Sequence, residues 1–184
     1  MTAASLGFCR LRRSGDPAWA VCMALYEDAF PSEERRDFAD LMRLLEEREC
    51  MHALSLEVSG RFVGFSVYWD FRDFLFLEHL AIVPRWRGQG IGGYFLDELA
   101  RIRPVFHLLE AEPPGSSPMA ARRIGGYRRH GFEIVSRNYL QPSYRPGEAP
   151  LPLWLMGRGE PGVLAERVAL LRRFVYGVDC AVGA

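Results

Sequence analysis

The sequence predicts a mixed α/β (α+β) fold in a single domain, with a sheet that starts as an antiparallel meander and then becomes parallel. Apolar residues recur with helical spacing over residues 17–48, and with period two over 52–83. A strand–helix–strand pattern then covers residues 74–112 and predicts a parallel βαβ unit. The 184 residues suit one domain, and we expect it to span residues 1–184, with no linker or repeat dividing it.

The predicted elements follow the order β-αα-βββ-α-β-α-β-β-α. Asp16 and Pro17 form a helix start, with Asp as the N-cap and Pro at the first helical position. Pro31 ends that helix, and Ser32 is expected to cap a second one immediately. The predicted helices are 17–30, 33–48, 93–103, 119–130 and 163–178. The predicted strands are 7–13, 52–58, 61–70, 74–83, 105–112, 131–140 and 150–156, with a hairpin turn at Ser59-Gly60.

Composition and charge exclude several function classes. Lys+Arg and Asp+Glu are equal at 23 each, so we expect no nucleic-acid or membrane partner. No secretory signal pattern or membrane-spanning stretch is visible, which predicts a cytoplasmic protein with reduced thiols. The cysteines and histidines lie far apart along the chain, so no metal site is expected; they are Cys9, Cys22, Cys50, Cys180, His52, His79, His107 and His130.

The stretch VPRWRGQGIGGYF, residues 83–95, joins a predicted strand to a predicted helix. Glycines allow the backbone to approach a ligand closely, and the helix that follows offers unpaired N–H groups and a positive dipole end. Such a loop binds anions, most often phosphate. The plainer alternative is a glycine-rich turn that serves only to reverse the chain.

Two phosphate-binding motifs fit this loop poorly. A P-loop requires Lys-Ser or Lys-Thr after its last glycine, and neither is present. The spacing Gly88-x-Gly90-x-x-Gly93 matches a dinucleotide-binding turn, and Glu110 stands where a ribose-binding acid would. That turn normally opens its domain directly after the first strand. Here about 80 residues precede it, and PRWR separates the strand from the glycines.

Counted from Arg87, the same loop reads R-x-x-G-x-G, with Gly90 and Gly92 as its glycines. This resembles the signature of the GNAT superfamily of N-acetyltransferases, as does the surrounding segment EHLAIVPRWRGQGIGGYFLDEL. The order of elements over about residues 6–157 is similar to the GNAT layout. GYRRHGFEIV resembles the late helix-to-strand junction of that family, written Y-x-x-x-G-F.

The resemblance implies that acetyl-CoA is the co-substrate. In the family, backbone N–H groups of the loop hold the pyrophosphate, and a splayed strand pairs with the pantetheine arm. The loop positions are Arg87, Gly88, Gln89, Gly90, Ile91, Gly92 and Gly93. The strand positions are Leu80, Ala81 and Ile82.

The resemblance also implies candidate catalytic residues. Tyr127 occupies the helix position from which family members often supply the general acid. Two neighbouring positions depart from the family pattern. Ala120 replaces an asparagine that many members have seven residues before the tyrosine, and Gly126 stands where an aromatic or aliphatic residue is common. Glu78 is the candidate base, since apolar neighbours on its strand face should raise its pKa toward neutrality. A structural carboxylate paired with an arginine is the equal alternative. His79 should point to the opposite face.

The expected function is therefore transfer of an acetyl group to a primary amine of an unidentified small molecule or peptide. The alternatives are an acyl-CoA-binding module without turnover, and an NAD-dependent oxidoreductase. The segments 17–48 and QPSYRPGEAP would flank the acceptor, with Glu110 and Glu112 as further candidates on that side. The last helix, beyond the family core, should pack on its own domain, with a homodimer contact as the second choice.

Overall fold

The computed structural model describes residues 6–12 and 14–178. Arg13, expected in the first strand, and Cys180 lie outside the described residues. The chain divides into two compact units, residues 1–109 and 110–184. Seven strands and five α-helices appear in the described residues, so the predicted mixed α/β class is confirmed. The expectation that one domain spans the whole chain stays a prediction.

The first unit holds most of the strands. Its elements are β1 (Leu6–Leu11), α1 (Ala18–Ala29), α2 (Phe38–Glu47), β2 (Met51–Val58), β3 (Arg61–Asp70), β4 (Phe74–Ile82) and α3 (Ile91–Ile102), followed by β5 (Phe106–Ala111), whose last two residues belong to the second unit. Strands β1 to β4 pair antiparallel in sequence order, and β4 pairs parallel with β5. The meander and the parallel βαβ unit are thus both confirmed.

Local turn chemistry explains the well-predicted parts of this unit. Asp16 accepts a hydrogen bond from the Ala18 N–H at 2.9 Å, which supports the predicted start of α1. Ser59 and Gly60 have φ of 51° and 70°, the two positive values that a tight hairpin turn between β2 and β3 requires.

The predicted second helix begins too early. Ser32–Glu34 forms only a single 3₁₀ turn, and α2 starts at Phe38. Arg35 is extended, with φ −137° and ψ 153°, and the Arg36 N–H donates to the Tyr26 hydroxyl at 3.0 Å. A tertiary hydrogen bond therefore holds a segment of helical composition in an extended conformation.

The second unit contains α4 (Pro118–Arg129), β6 (Glu133–Gln141), β7 (Leu151–Arg158) and α5 (Leu164–Leu170). Ser117 caps α4, accepting from the Ala120 N–H at 3.0 Å, and β6 pairs antiparallel with β7. Helix α5 continues as a π-helical turn, Leu171–Val175, in which Leu171 and Val175 are buried. No helix among residues 6–12 and 14–178 is both long and apolar enough to span a bilayer.

Candidate active site

A 3₁₀ turn separates the end of β4 from the first glycine of the loop. Strand β4 ends at Ile82, and Pro84–Trp86 forms a 3₁₀ turn in which the Arg87 N–H donates to the Pro84 carbonyl at 3.1 Å. A dinucleotide-binding turn places its glycines directly after the strand. The geometry therefore agrees with the motif that is counted from Arg87.

The glycines give the loop a conformation that other residues rarely adopt. Gly88 and Gly90 have φ of 76° and 81°, in the left-handed region. Gly90 is the N-cap of α3, and its carbonyl accepts the first helical hydrogen bond, from the Tyr94 N–H at 2.9 Å. No side chain of the described residues caps this end. The N–H groups of the first turn are consequently available to an anion.

The structure brings the predicted loop and strand residues together. The Arg87 Nε donates to the Ile82 carbonyl at 2.8 Å, so the guanidinium is held beside the end of β4. A Cβ on Gly92 would lie 3.7 and 3.8 Å from side-chain atoms of Ile82 and Leu80, ordinary contact distances. The first turn of α3 thus packs directly on the strand residues predicted to contact the cofactor.

Strand β4 has an edge that a ligand could use. Its ladder with β5 runs from the Phe74–Phe106 pair to the Leu77–Leu109 pair, while β4 itself continues to Ile82. Within the first unit, residues 79–82 therefore have a strand partner on one side only, β3. A short extended ligand can hydrogen-bond to such an edge as an added strand would.

The Glu78 carboxylate lies in a buried polar cluster. Its side chain is 0% exposed, and Oε1 lies 3.0 Å from both Nε and Nη2 of Arg36. The Trp69 indole N–H donates to Oε2 at 2.7 Å. Both carboxylate oxygens thus accept charged or strong donors, which stabilise the ionised form. This geometry supports the alternative in which Glu78 is a structural carboxylate paired with an arginine.

A β-bulge at Glu78 interrupts the expected alternation of side chains between the two faces of β4. Val67 pairs with His79, but the next residue, Tyr68, pairs with Leu77, which leaves Glu78 as the extra residue. The prediction that His79 points away from Glu78 is therefore wrong: Glu78 reaches Arg36, and His79 Nε2 lies 2.9 Å from the Glu34 carbonyl.

His79 is a buried core residue. It is 3% exposed, and its ring lies edge-on to Tyr26 at 4.8 Å and to Phe30 at 4.7 Å. Burial lowers the pKa of His79 below its usual value, so the ring is neutral at physiological pH.

Tyr127 lies on α4 in the second unit. Its ring packs against Phe132 at 6.0 Å, and its carbonyl accepts from the His130 and Phe132 N–H groups where the helix ends. Burial raises the pKa of the Tyr127 hydroxyl, and the charge of Arg123 opposes this only in part. The phenol is therefore a proton donor, not a phenolate, at neutral pH. A Cβ at the preceding Gly126 would meet nothing closer than Arg129 Nη2 at 3.9 Å, so the space there would accept the side chain that the family pattern has.

Glu110 and Glu112 differ in their partners. Glu110 accepts a hydrogen bond of 2.6 Å from the Tyr176 hydroxyl, and burial raises the pKa of the neighbouring Tyr139 hydroxyl, with the Glu110 charge as the second cause. Glu112 pairs with Arg123 at the surface. Glu110 thus belongs to a tyrosine cluster and is not a solvated strand end.

Three residues of this region were missed from the sequence. Arg36 and Trp69 hold Glu78, but nothing in their spacing connects them to residue 78. Gly64 could have been identified from the sequence, because glycine inside a strand often indicates that two backbones lie close together. A Cβ there would lie 2.6 Å from the Ala81 carbonyl oxygen.

Comparison with known families agrees with the motif. Residues 48–134 match the family model described as an acetyltransferase (GNAT) domain, a range that includes β4, the loop and Tyr127. None of the curated proteins matches the chain significantly.

Solved structures extend the similarity to most of the chain. A GNAT-family structure from Bacteroides thetaiotaomicron, assigned as an acetyltransferase, is 32% identical, covers 94% of this chain and 99% of its own, and superposes with a TM-score of 0.86. The ribosomal-protein-alanine N-acetyltransferase of Brucella melitensis is 25% identical, with coverages of 76% and 92% and a TM-score of 0.54. A GNAT acetyltransferase from Elizabethkingia anophelis, solved with acetyl-CoA bound, shares the fold at 14% identity, with coverages of 84% and 98% and a TM-score of 0.57.

Proposed function

The chain belongs to the GNAT family of acetyltransferases, and on that premise we propose that it transfers an acetyl group from acetyl-CoA to a primary amine of a small molecule or peptide. The observation that carries this proposal is the loop from Arg87 to Gly93. Two glycines with positive φ lead into an uncapped helix N-terminus, and Arg87 is held beside it. An anion as highly charged as the pyrophosphate of CoA suits that arrangement.

In this proposal the cofactor is bound mainly by the main chain. The N–H groups of Ile91, Gly92 and Gly93 hold the pyrophosphate, and the Arg87 guanidinium adds positive charge. The edge of β4 at Leu80, Ala81 and Ile82 pairs with the amide groups of the pantetheine arm. The exposed side chain of Gln89 donates to the Arg85 carbonyl at 3.1 Å, and in this proposal it does not contact the ligand.

Acetyl-CoA supplies an activated thioester, and the reaction requires two proton transfers: one from the amine and one to the leaving sulfur. The amine has to be neutral to attack the carbonyl carbon, so its proton must leave to a base or to water. The C–S bond then breaks, and the sulfur takes a proton. We propose Tyr127 as that acid, because family position assigns it the role and its raised pKa keeps it protonated.

Glu78 receives a different role from the one its position first suggested. Its carboxylate is fully buried and engaged by Arg36 and Trp69, so a proton on it would disrupt an ion pair. We propose that Glu78 is a structural residue that fixes the segment between α1 and α2 to the bulge in β4. A water relay would then carry the proton away from the amine.

The test measures both binding and turnover. We expect acetyl-CoA to bind in calorimetric titration while NADH does not, and free CoA to be released with at least one acceptor from a panel of polyamines, amino acids, aminoglycosides, peptide N-termini and lysine peptides. Thiol release is followed with a colorimetric reagent. Binding of acetyl-CoA without release across the panel would favour a non-catalytic acyl-CoA-binding module, and binding of NADH alone would exclude the proposal.

A further inference from the structure

The first unit contains a cavity of about 540 Å³ at the end of strand β1. Its lining comes from the end of β1, from the last turn of α2 with the residues just after it, and from the start of β2. A volume of this size is typical of pockets for small molecules. The proposed acetyl transfer does not use this cavity.

The cavity and the proposed cofactor strand lie at different ends of the sheet. Ile82, at the end of β4, is level with Leu56 of β2, since both pair with the same residue of β3. From Leu56 back to Met51, which lines the cavity, β2 covers about 17 Å. Met51 also pairs with Trp69, and both are buried, so core side chains separate the cavity from Glu78.

Helix α2 shows the same separation. It begins two residues after Arg36, the partner of Glu78, and its ten residues span about 15 Å. Only its far end, at Leu45 and Glu46, contributes to the lining. The segment 17–48 was expected to flank the acceptor, but the part of it that lines this cavity is the end remote from Glu78.

Charges of both signs line the cavity without being paired to one another. Arg10 and Arg12 come from the β1 side, and Glu46 and Glu49 from the α2 side. All four residues are exposed, and in the described part of the chain none of their side chains makes a hydrogen bond or an ion pair. The lining therefore carries two positive and two negative charges.

The described charges just outside the lining leave this balance unchanged. Neighbouring acidic residues are already in ion pairs, which are Glu47–Arg43 at 3.0 Å and Asp70–Arg103 at 2.7 Å. Burial lowers the pKa of His52 to about 4, so its ring is neutral at physiological pH. Arg48 is exposed and lies outside the lining. A ligand with no net charge is therefore the best match.

The floor of the cavity is apolar. Leu11 and Met51 are each 1% exposed, and Leu45 is half-buried. Because neighbouring residues of a strand point to opposite faces, a lining that includes Arg10, Leu11 and Arg12 must reach around the edge of β1. In the described residues β1 pairs only with β2, so this is an outer edge of the sheet. A ligand here meets an apolar floor, charges of both signs and the main chain of an edge strand.

We propose that this cavity binds a small zwitterion with an apolar side chain, a molecule of the amino-acid type. Arg10 and Arg12 hold its carboxylate, Glu46 and Glu49 hold its ammonium group, and its side chain lies on the apolar floor. A simple cation or anion would satisfy only one wall, whereas a zwitterion brings an opposite charge to each. The proposal does not depend on acetyl transfer, because binding is measured without acetyl-CoA.

The test uses three probes of matched shape on the full chain, titrated by calorimetry. N,N-dimethylleucine has both charges, and its tertiary nitrogen cannot accept an acetyl group. 4-Methylpentanoate lacks the ammonium group, and N,N-dimethyl-3-methylbutylamine lacks the carboxylate. We expect the zwitterion to bind about fivefold more tightly than either, the upper range for an exposed ion pair. Equal affinity for the three probes, or no measurable binding of N,N-dimethylleucine, would overturn the proposal and leave the acetyl-transfer assay unaffected.

Variants locate the binding to this cavity. Arg10→Gln combined with Arg12→Gln should weaken N,N-dimethylleucine about fivefold without weakening the amine probe. Glu46→Gln combined with Glu49→Gln should weaken N,N-dimethylleucine by a similar factor without weakening the carboxylate probe. Circular dichroism checks the fold of each variant. Unchanged binding of N,N-dimethylleucine in the folded variants would place the ligand elsewhere and contradict the proposal.

Matched controls remove the same charges outside the lining. Arg43→Gln combined with Arg48→Gln controls for the arginines, and Asp40→Asn combined with Glu47→Gln controls for the glutamates; all four residues are exposed. Affinity for N,N-dimethylleucine should stay within about twofold in both controls. Equal losses in the control and lining variants would mean that only the net charge of the protein matters, which would contradict a site in this cavity.

Discussion

Strand β4 carries two regions that are built in opposite ways. At its end, the loop from Arg87 to Gly93 is a main-chain structure whose first four residues are exposed and whose conformation depends on Gly88 and Gly90. In its middle, Glu78 is part of a side-chain structure, buried with Arg36 and Trp69 from two other segments. A main-chain site tolerates changes of side chain but not of backbone conformation. A buried side-chain cluster has the reverse sensitivity.

The largest change in stability should come from disrupting the buried cluster around Glu78. Arg36→Met leaves the Glu78 carboxylate buried without its guanidinium, so the free energy of unfolding should fall by about 3–5 kcal/mol. The control is Arg43→Met, which removes an arginine that is 53% exposed and pairs with Asp40 and Glu47, and should cost less than about 1 kcal/mol. Urea denaturation measures both. Similar losses for the two variants would mean that the buried pair contributes little.

Tyr127→Phe should affect turnover and not binding. Loss of a general acid typically costs about 100-fold or more in kcat, while the ring that packs on Phe132 is kept. Steady-state kinetics with the best acceptor gives kcat, and titration gives the acetyl-CoA affinity, which should stay within about twofold. A large loss of affinity would identify Tyr127 as a structural residue.

Gly64→Ala tests whether β3 must lie close to the end of β4 that is proposed to bind acetyl-CoA. The new Cβ would lie 2.6 Å from the Ala81 carbonyl oxygen and 2.9 Å from Ile82 Cδ1, so β3 and β4 must separate. Overpacking of this kind costs about 1–3 kcal/mol in unfolding free energy. At Gly115, where a Cβ meets nothing within 4 Å, the same substitution should change stability by less than about 0.5 kcal/mol. Equal stabilities for the two variants would show that the strands adjust freely.

Gly90→Ala tests the main-chain region directly. Alanine disfavours the φ of 81°, so the loop should leave the conformation that directs the first N–H groups of α3 outward. We expect acetyl-CoA to bind about tenfold more weakly, or about 1.4 kcal/mol. Gln89→Ala, which changes only a side chain of the same loop, should stay within about twofold. If the two variants lose affinity equally, the side chain of Gln89 contributes to the site, and the loop does not bind its ligand through the main chain alone.

The smallest effect is expected in the pH–rate profile of Glu78→Gln. If Glu78 is structural, the variant is less stable, but the apparent pKa values of kcat/KM are the same as in the unsubstituted protein. The profile is measured from pH 5.5 to 9.5 at a temperature where circular dichroism shows the variant folded. A shift toward alkaline pH would restore Glu78 as the general base.

The parts of the fold that were predicted well depend on local chemistry. The start of α1 just after Asp16, the hairpin turn at Ser59-Gly60 and the glycine loop all have residue types that determine the backbone nearby. The second helix was predicted several residues too early because its composition is helical throughout. The hydrogen bond from the Arg36 N–H to the Tyr26 hydroxyl decides that conformation, and it joins residues 10 positions apart.

The mixed α/β class, the parallel βαβ unit and the motif that begins at Arg87 can be predicted from the residues alone, because periodicity and glycine conformation act within a few residues. The role of Glu78 depends instead on contacts between distant segments. One extra residue in β4 broke the alternation that would have put Glu78 and His79 on opposite faces, and the partners of Glu78 come from positions 36 and 69. Neither a bulge nor a distant ion pair leaves a local pattern, since both arise from the packing of segments that are remote in the chain.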